Sequence, residues 1–490
     1  MGAMQIPFMP YRPDQGALSS DSTDVALNVI AISNGYAPFP SPTAPTTALP
    51  ADCKGSWYVR TTSGSYIFFA ATQTNIYRLS STGTWTSVGS GYTGPASGDL
   101  WTAAKYGTRF YVSNEFDALQ YIDLDSGSTF AAAPGSPPKG KFVCVIGDFL
   151  FLAHLRIGAS DFPRDWQHSA IDDPTDWVID GTPGASDRQS IPSGDEITGI
   201  MPRPNNGGRI FQRNAKRSLI FSPGGATAFE QRDIDSTNGV FAPYSIVDIG
   251  NDDYVYIHEQ GVFRGDNHTP IGLDNISRTL IRRIDYDKIE QIQGSLETRS
   301  RRVLWRAQDQ TGTWFVFGYD VSREKFFMTD LAATLITNMV GVATLIDDIH
   351  GLADSYSGIQ VDSPLFAGGR AAPGIWLADR CMYSLTGVSL QATIETPTFA
   401  PNPGGGSFLY GVMLAGNVPI FSVRIGSSTL AETAVLWSSD TTEAARTGVA
   451  PTRVDANFLR IRITIPAGTD WTHAHAITPL FKSSRRLFAA

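Results

Sequence analysis

An all-β fold is what this sequence predicts: a β-propeller of six or seven four-stranded blades, with an N-terminal arm and a C-terminal antiparallel β-sandwich. Two observations carry that expectation. Short apolar strands recur in groups of four, roughly every 40–55 residues, with no strong helical periodicity between the groups. The composition is turn-rich, with 47 Gly and 30 Pro but only 17% charged residues, while 11% aromatics exclude a disordered chain.

Residues 1–50 form a Pro-rich arm in which Phe8, Tyr11, Val29, Ile30, Tyr36 and Phe39 need burial, so the arm must pack on something else. Residues 51–385 hold the propeller units. The first groups Trp57–Arg60, Tyr66–Ala70, Asn75–Leu79 and Thr84–Val88; the second runs from Trp101 to a strand near Phe130. The third is the most informative. Phe142–Ile146 and Phe149–Ala153 flank Gly147-Asp148 as a buried hairpin, and a polar loop then leads into Trp166 and Asp173-Pro174-Thr175-Asp176-Trp177. Asp173-Pro174 sets a turn, and Trp166 and Trp177 should clamp that loop onto its blade. Units four to six start near Ile197, Ser245 and Gln291, and residues 330–385 read as a seventh blade or as closing strands. One helix is expected, capped by Ser277, with Leu280, Ile281, Ile284 and Ile289 on one face. Pro397, Pro401 and Pro403 with Gly404-Gly405-Gly406 mark a loop. Residues 386–490 form the sandwich, as in the alternation of Phe458–Ile465.

A length of 490 residues argues for more than one domain, and a net charge of −9 argues against a dedicated nucleic-acid binder. Cys53, Cys144 and Cys381 are too few and too scattered for a disulfide framework. No secretory leader and no apolar run long enough to span a membrane are visible, which fits folding in a cytoplasm.

Several motifs approach known chemistry and then depart from it. Gly135–Phe142 has phosphate-loop spacing but lacks the final Ser/Thr and precedes a strand. Gly89, Gly91 and Gly94 match a dinucleotide pattern but lead into Pro95, as an inter-blade turn would. Asp123–Gly127 and Asp233–Gly239 look like calcium loops without the closing Glu. His168 with Asp172 and Asp173, and His473 with His475, are weak acid–base or metal candidates, better read as a hydrogen-bonded surface group and a strand pair. Asp309–Trp314 only approaches a sialidase box. No residue set selects an enzyme, a cofactor or a metal. A basic stretch comprises Arg278, Arg282, Arg283, Lys288, Arg299, Arg301, Arg302 and Arg306, interrupted by Asp285, Asp287, Glu290 and Glu297. Arg282, Arg283, Arg301 and Arg302 are the candidates for a subunit interface or a DNA-facing surface.

Four patches give the chain a family likeness. They are Pro10–Asp14 with Asn28-Val29 and Gly35–Pro38; Gly147–Phe151 with Trp166, Ser169-Ala170 and Asp173–Trp177; Gly239–Val247 with Gly261–Phe263 and Pro270–Gly272; and Val303–Trp305 with Tyr319-Asp320 and Lys325-Phe326. Together they resemble the tail-tube nozzle, or packaged-DNA stabilisation protein, of short-tailed bacteriophages, over about residues 7–330. That resemblance implies a structural virion protein without catalytic residues, assembled in the bacterial host cytoplasm. Six subunits would form a ring at the tail end, continue the DNA channel, retain packaged DNA without reading its sequence, and join a tail adaptor to fibres or spikes. The apolar residues of both end segments (Val29, Ile30, Tyr36 and Phe39; Phe458, Ile461 and Ile463) are expected to find partners in neighbouring subunits. The rival classes are a propeller binding glycans or a receptor, and a propeller glycoside hydrolase. A lectin should repeat an exposed aromatic at one blade position, which the tryptophans do not do; a hydrolase should converge carboxylates at the axis.

Overall fold

The computed structural model describes residues 5–483 apart from 17, 20, 225–226, 299, 341–370, 403–405, 432 and 445. Arg299 and the loop residues Pro403, Gly404 and Gly405 therefore lie outside the described residues, as does much of the ambiguous stretch before residue 385. Among the described residues, seven four-stranded antiparallel units form the propeller. Blade one is Gly55–Arg60, Tyr66–Ala71, Asn75–Leu79 and Trp85–Ser90; blade two is Thr102–Tyr106, Arg109–Ser113, Gln120–Asp123 and Ala131–Ala132. Blade three is Lys139–Ile146, Phe149–Ile157, Ser160–His168 and Asp187–Ser190; blade four is Ile197–Arg203, Gly207–Gln212, Lys216–Phe221 and Phe229–Asp235. Blade five is Val247–Gly250, Asp253–His258, Gly261–Arg264 and Thr269–Ile271; blade six is Gln293–Glu297, Arg302–Gln308, Trp314–Asp320 and Lys325–Thr329.

Blade seven closes the ring with a borrowed strand. Leu335–Val340, Ala371–Trp376 and Met382–Ser389 come from the end of the propeller, and Pro40–Thr43 of the arm supplies the outermost strand, with Thr43 opposite Ser384. Proline is tolerated there because the outward side of an edge strand has no partner and needs no donor. Blades seven and one share an apolar cluster of Leu49, Cys53, Phe68, Ala70, Tyr77, Leu100, Leu335, Trp376 and Met382.

The rest of the arm is woven into the sandwich. One sheet runs Val29–Ala31, Tyr36–Pro38, Ala474–Ser483, Ser407–Gly416, Val449–Ala456, with Ile6–Pro7 beside Ala474–Ser483 on the same side as Tyr36–Pro38. The facing sheet starts in blade six and continues through Val25–Leu27, Ala392–Glu395, Phe458–Ile465 and Ser422–Ser428. The joint is a parallel bridge, Leu27 beside Met328. Propeller and sandwich thus share a sheet, and one core runs from Trp305, Phe317 and Tyr319 to Ile394, Leu409 and Ile461.

Asn28 separates the two strands of the arm that go to different sheets. Its φ of 58° is left-handed, a conformation Asn tolerates better than other side-chain-bearing residues. Its Nδ2 donates to the Gln391 carbonyl at 2.8 Å, and its Oδ1 accepts from the Asp330 amide at 3.1 Å.

Three expectations need correction. Val29, Ile30, Tyr36, Phe39, Ile461 and Ile463 are all buried within the chain: Val29 and Tyr36 share a core with Ile461 and Ile463, while Ile30 and Phe39 pack against blades six and seven, so none of them needs a neighbouring subunit. The helix from Ser277 is instead three short turns, Leu273–Ile276, Ile281–Arg283 and Tyr286–Gln291, and Ser277 follows the first of them. A bridge between Ile284 and Asp309, with the Asp285 amide donating to the Gln308 carbonyl, pulls the backbone out of helical geometry there. Trp166 lies in the third strand of its blade, not in the loop.

Candidate functional site

In an up-and-down propeller the loops leading from one blade to the next open on one face, here the upper face; the turns joining a blade's first and second strands lie on the lower. Tyr244, in the loop between blades four and five, crosses the upper mouth of the axis. Its hydroxyl lies 3.2 Å from both a carboxylate oxygen of Asp99 and the carbonyl of Leu100, in the loop between blades one and two. Burial, then Asp99, pushes the Tyr244 hydroxyl well above its ordinary pKa. The other Asp99 oxygen pairs with Lys141 Nζ at 2.9 Å. Gly98, with φ +90°, lets its loop pack against Glu290 from the segment before blade six. The axis is therefore capped by loops from opposite sides.

Beside this cap, His154 sits at a bulge with φ 56°, nearly buried, its Nδ1 3.2 Å from the Ile197 carbonyl. Its Nε2 lies 3.8 Å from Glu115 and 3.8 Å from Asp161. Burial raises the Glu115 carboxyl, and Lys141 opposes that shift. Asp99 is committed to Lys141 and Tyr244, so it is not a free carboxylate facing a cleft. Among the described residues no group of three or more His, Cys, Asp or Glu is placed to hold a metal ion.

The Asp-Pro-Thr-Asp-Trp loop is built from its own hydrogen bonds. Asp173 accepts from the Thr175 amide at 2.8 Å and hydroxyl at 2.6 Å, which holds its carboxyl below the usual range. Pro174 is buried, and its carbonyl accepts from Trp177 Nε1 at 3.1 Å. Asp176 accepts from the Val178 amide at 2.9 Å. Gly135, from the phosphate-loop look-alike, runs so close to the Thr175 carbonyl that any side chain there would overlap it. The two tryptophans occupy opposite faces of blade three. Trp177 packs with Tyr111, Leu119 and Leu150 toward blade two, Trp166 with Phe151, Ile210 and Phe229 toward blade four. His168 is fully buried beside Trp166, its Nδ1 2.7 Å from the Ser169 carbonyl, whereas Asp172 and Asp173 are exposed; these three form neither a surface group nor a cluster.

The four basic candidates fall at opposite ends of blade six. Arg283 is on the upper face, paired with Asp309 at 3.2 Å and lying over the Phe315 ring, with exposed Arg282 next to it. Thr311 and the surrounding amides hold Asp309 down to about 2. Arg301 and Arg302 are at the lower turn. Arg301 donates to the Ile249 carbonyl at 2.9 Å, and Arg302 lies 3.5 Å from Asp320 and 3.7 Å from Glu297. The His473 and His475 rings lie 4.4 Å apart on the sandwich, tilted by 33°. Sequence reasoning missed Asp99, Glu115, Lys141 and His154. Asp99 lies in an inter-blade loop and Glu115 in the turn between the second and third strands of blade two, both on the upper face, while Lys141 and His154 lie on adjacent strands of blade three; that position is their one signal.

No protein-family model matches the chain, and no curated protein matches it. Solved structures similar to it include a computationally designed protein, Ika8, at 10% identity, covering 78% of this chain and 99% of that one with a TM-score of 0.39. BamB from Moraxella catarrhalis is 8% identical, covering 73% of this chain and 92% of its own, TM-score 0.30. An exo-β-1,3-galactanase from Phanerochaete chrysosporium is 12% identical, covering 90% and 100%, TM-score 0.28. At such scores none of them carries an argument, and the propeller rests on the strand pairing itself.

Proposed function

We propose that this chain is a structural virion protein: a subunit of the ring that ends the tail of a short-tailed bacteriophage. Six copies surround the passage through which packaged DNA leaves, and the ring joins a tail adaptor to fibres or spikes. The observation that carries this reading is the use made of the residues bearing the family likeness. Asn28 and Tyr36 lock the arm into two sheets, Trp177 anchors the loop on blade three, and Tyr244 caps the axis. These residues hold a scaffold together. A glycoside hydrolase needs two carboxylates facing substrate at a set separation, and here Asp99 is tied to a lysine and a tyrosine. The DNA passage lies between subunits, because the propeller's own axis is capped. The acidic net charge of −9 suits a passage that must not grip DNA.

Native mass spectrometry of tails taken from virions, and electron microscopy of the assembled protein, test the reading. A hexameric ring is expected. A protein that stays monomeric and never joins a tail overturns it, and hydrolysis of a polysaccharide by the purified chain would favour the enzyme class instead.

A further inference from the structure

Among the described residues, three arginine side chains are buried to less than a tenth exposure: Arg209, Arg217 and Arg306. Arg209 holds Asp252 at 2.6 Å and Asp266 at 2.8 Å, and Arg217 pairs with Asp233. Arg306 differs. It is 3% exposed, on the second strand of blade six, at the upper shoulder facing blade seven. Its Nε donates to Gln293 Oε1 at 3.1 Å, and its guanidinium lies 4.6 Å from the centre of the Trp314 ring. Both contacts are to neutral groups. Gln293 is itself fixed by the Ile336 backbone, donating to its carbonyl at 2.8 Å and accepting from its amide at 3.0 Å. Among the described residues, no carboxylate lies within ion-pairing distance of Arg306, and its two terminal nitrogens make no hydrogen bond.

We propose that Arg306 is an anion receptor, seating one small oxyanion, a phosphate or a carboxylate group, on its two terminal nitrogens between blades six and seven. A buried charge needs a compensating partner, and a guanidinium offers two parallel N–H donors that match an oxyanion in bidentate fashion. The Gln293 bond and the Trp314 ring fix the plane of the fork, so the receptor is preorganised. Burial pulls the Arg306 guanidinium down to about 9, and Cys53 nearby, its thiol pushed up to about 12 by burial, remains a neutral thiol.

The test is melting and calorimetric titration of the full chain with inorganic phosphate, and separately with acetate, against chloride at constant ionic strength. Wild type should show a saturable rise in Tm of roughly 2–4 °C and a measurable heat. Arg306→Met should lose that response and, in chloride alone, melt at or above the wild type, because it removes an uncompensated buried charge. Arg306→Lys keeps the charge without the fork and should need at least about tenfold more anion, since a lysine is only a point charge. A response to phosphate alone identifies a tetrahedral oxyanion, and one to acetate a carboxylate; either supports the receptor. An equal rise in wild type and Arg306→Met is general salt stabilisation and overturns it, as does the absence of any heat with both anions on the wild type.

Discussion

Replacing Asn28 tests how the arm is locked. Asn28→Ala removes two side-chain hydrogen bonds and places a Cβ-bearing residue without local hydrogen bonding at φ 58°. Gln391 and Asp330 are both exposed, so water can take up their freed backbone groups. Each bond is then worth its net value of about 0.5–1.5 kcal/mol rather than a full desolvation penalty. The left-handed backbone adds about 1–2 kcal/mol for alanine. The expected loss is about 2–5 kcal/mol. Asn28→Gly loses the same bonds but escapes the backbone term, at a cost of about 0.4–1 kcal/mol in unfolded-state entropy. Glycine should therefore be the milder change, by roughly 0.5–1 kcal/mol. Asn28→Asp keeps the acceptor and should lose about 0.5–1.5 kcal/mol. Urea unfolding followed by tryptophan fluorescence gives all three. An alanine variant more stable than the glycine variant, or both within about 0.5 kcal/mol of wild type, refutes the assignment of strain and bonding to this residue.

Two further outcomes follow from blade three. Trp177→Ala should cost about 3–5 kcal/mol, because the ring is 5% exposed in the cluster between blades two and three; an unchanged melting point would contradict that burial. His168 is held below its ordinary pKa chiefly by burial, so it stays neutral in the folded chain while the unfolded chain takes up a proton. Its contribution is complete above about pH 6.5 and is lost as pH falls below that value, because the unfolded state then binds more protons. His168→Phe should flatten stability between about pH 6.5 and 5 in denaturant titrations, and an unchanged slope would show that His168 does not titrate on unfolding.

How far the sequence reveals this molecule depends on the distance over which each feature is specified. The Gly147-Asp148 hairpin is local: alternation and a turn dipeptide define it, and the register pairs Ile146 with Phe149 as expected. The repeats of four strands are equally local. Pro40–Thr43 shows nothing strand-like in its own residues, since two of its four are proline, and it becomes a strand only because Met382–Ser389 is waiting for it. The apolar spacing of Leu280, Ile281, Ile284 and Ile289 correctly marks burial, yet tertiary bridges decide against a helix. Of the upper-face groups, Lys141 and His154 lie on paired strands of the blade-three hairpin, whereas Asp99 and Tyr244 come from distant inter-blade loops that only the tertiary fold brings to them.

The borrowed strand also sets an order of events. Thr43 pairs hydroxyl to hydroxyl with Thr386, 343 residues later, and Phe8 donates to the carbonyl of His475. During synthesis the arm emerges ahead of everything it pairs with. Blades one to six can each form from nearby chain as they appear, but blade seven lacks its outer strand until residue 389 is made and the arm returns to it. Closing loops of this length is entropically slow, so the final step should be late and rate-limiting. Until then Met382–Ser389 is an open edge and the arm's apolar residues are uncovered, a state prone to pairing with the wrong chain. Where many copies are made side by side, the arm of one copy could close the seventh blade of another, so that failed closure and exchange between subunits would be alternative ends of the same folding step.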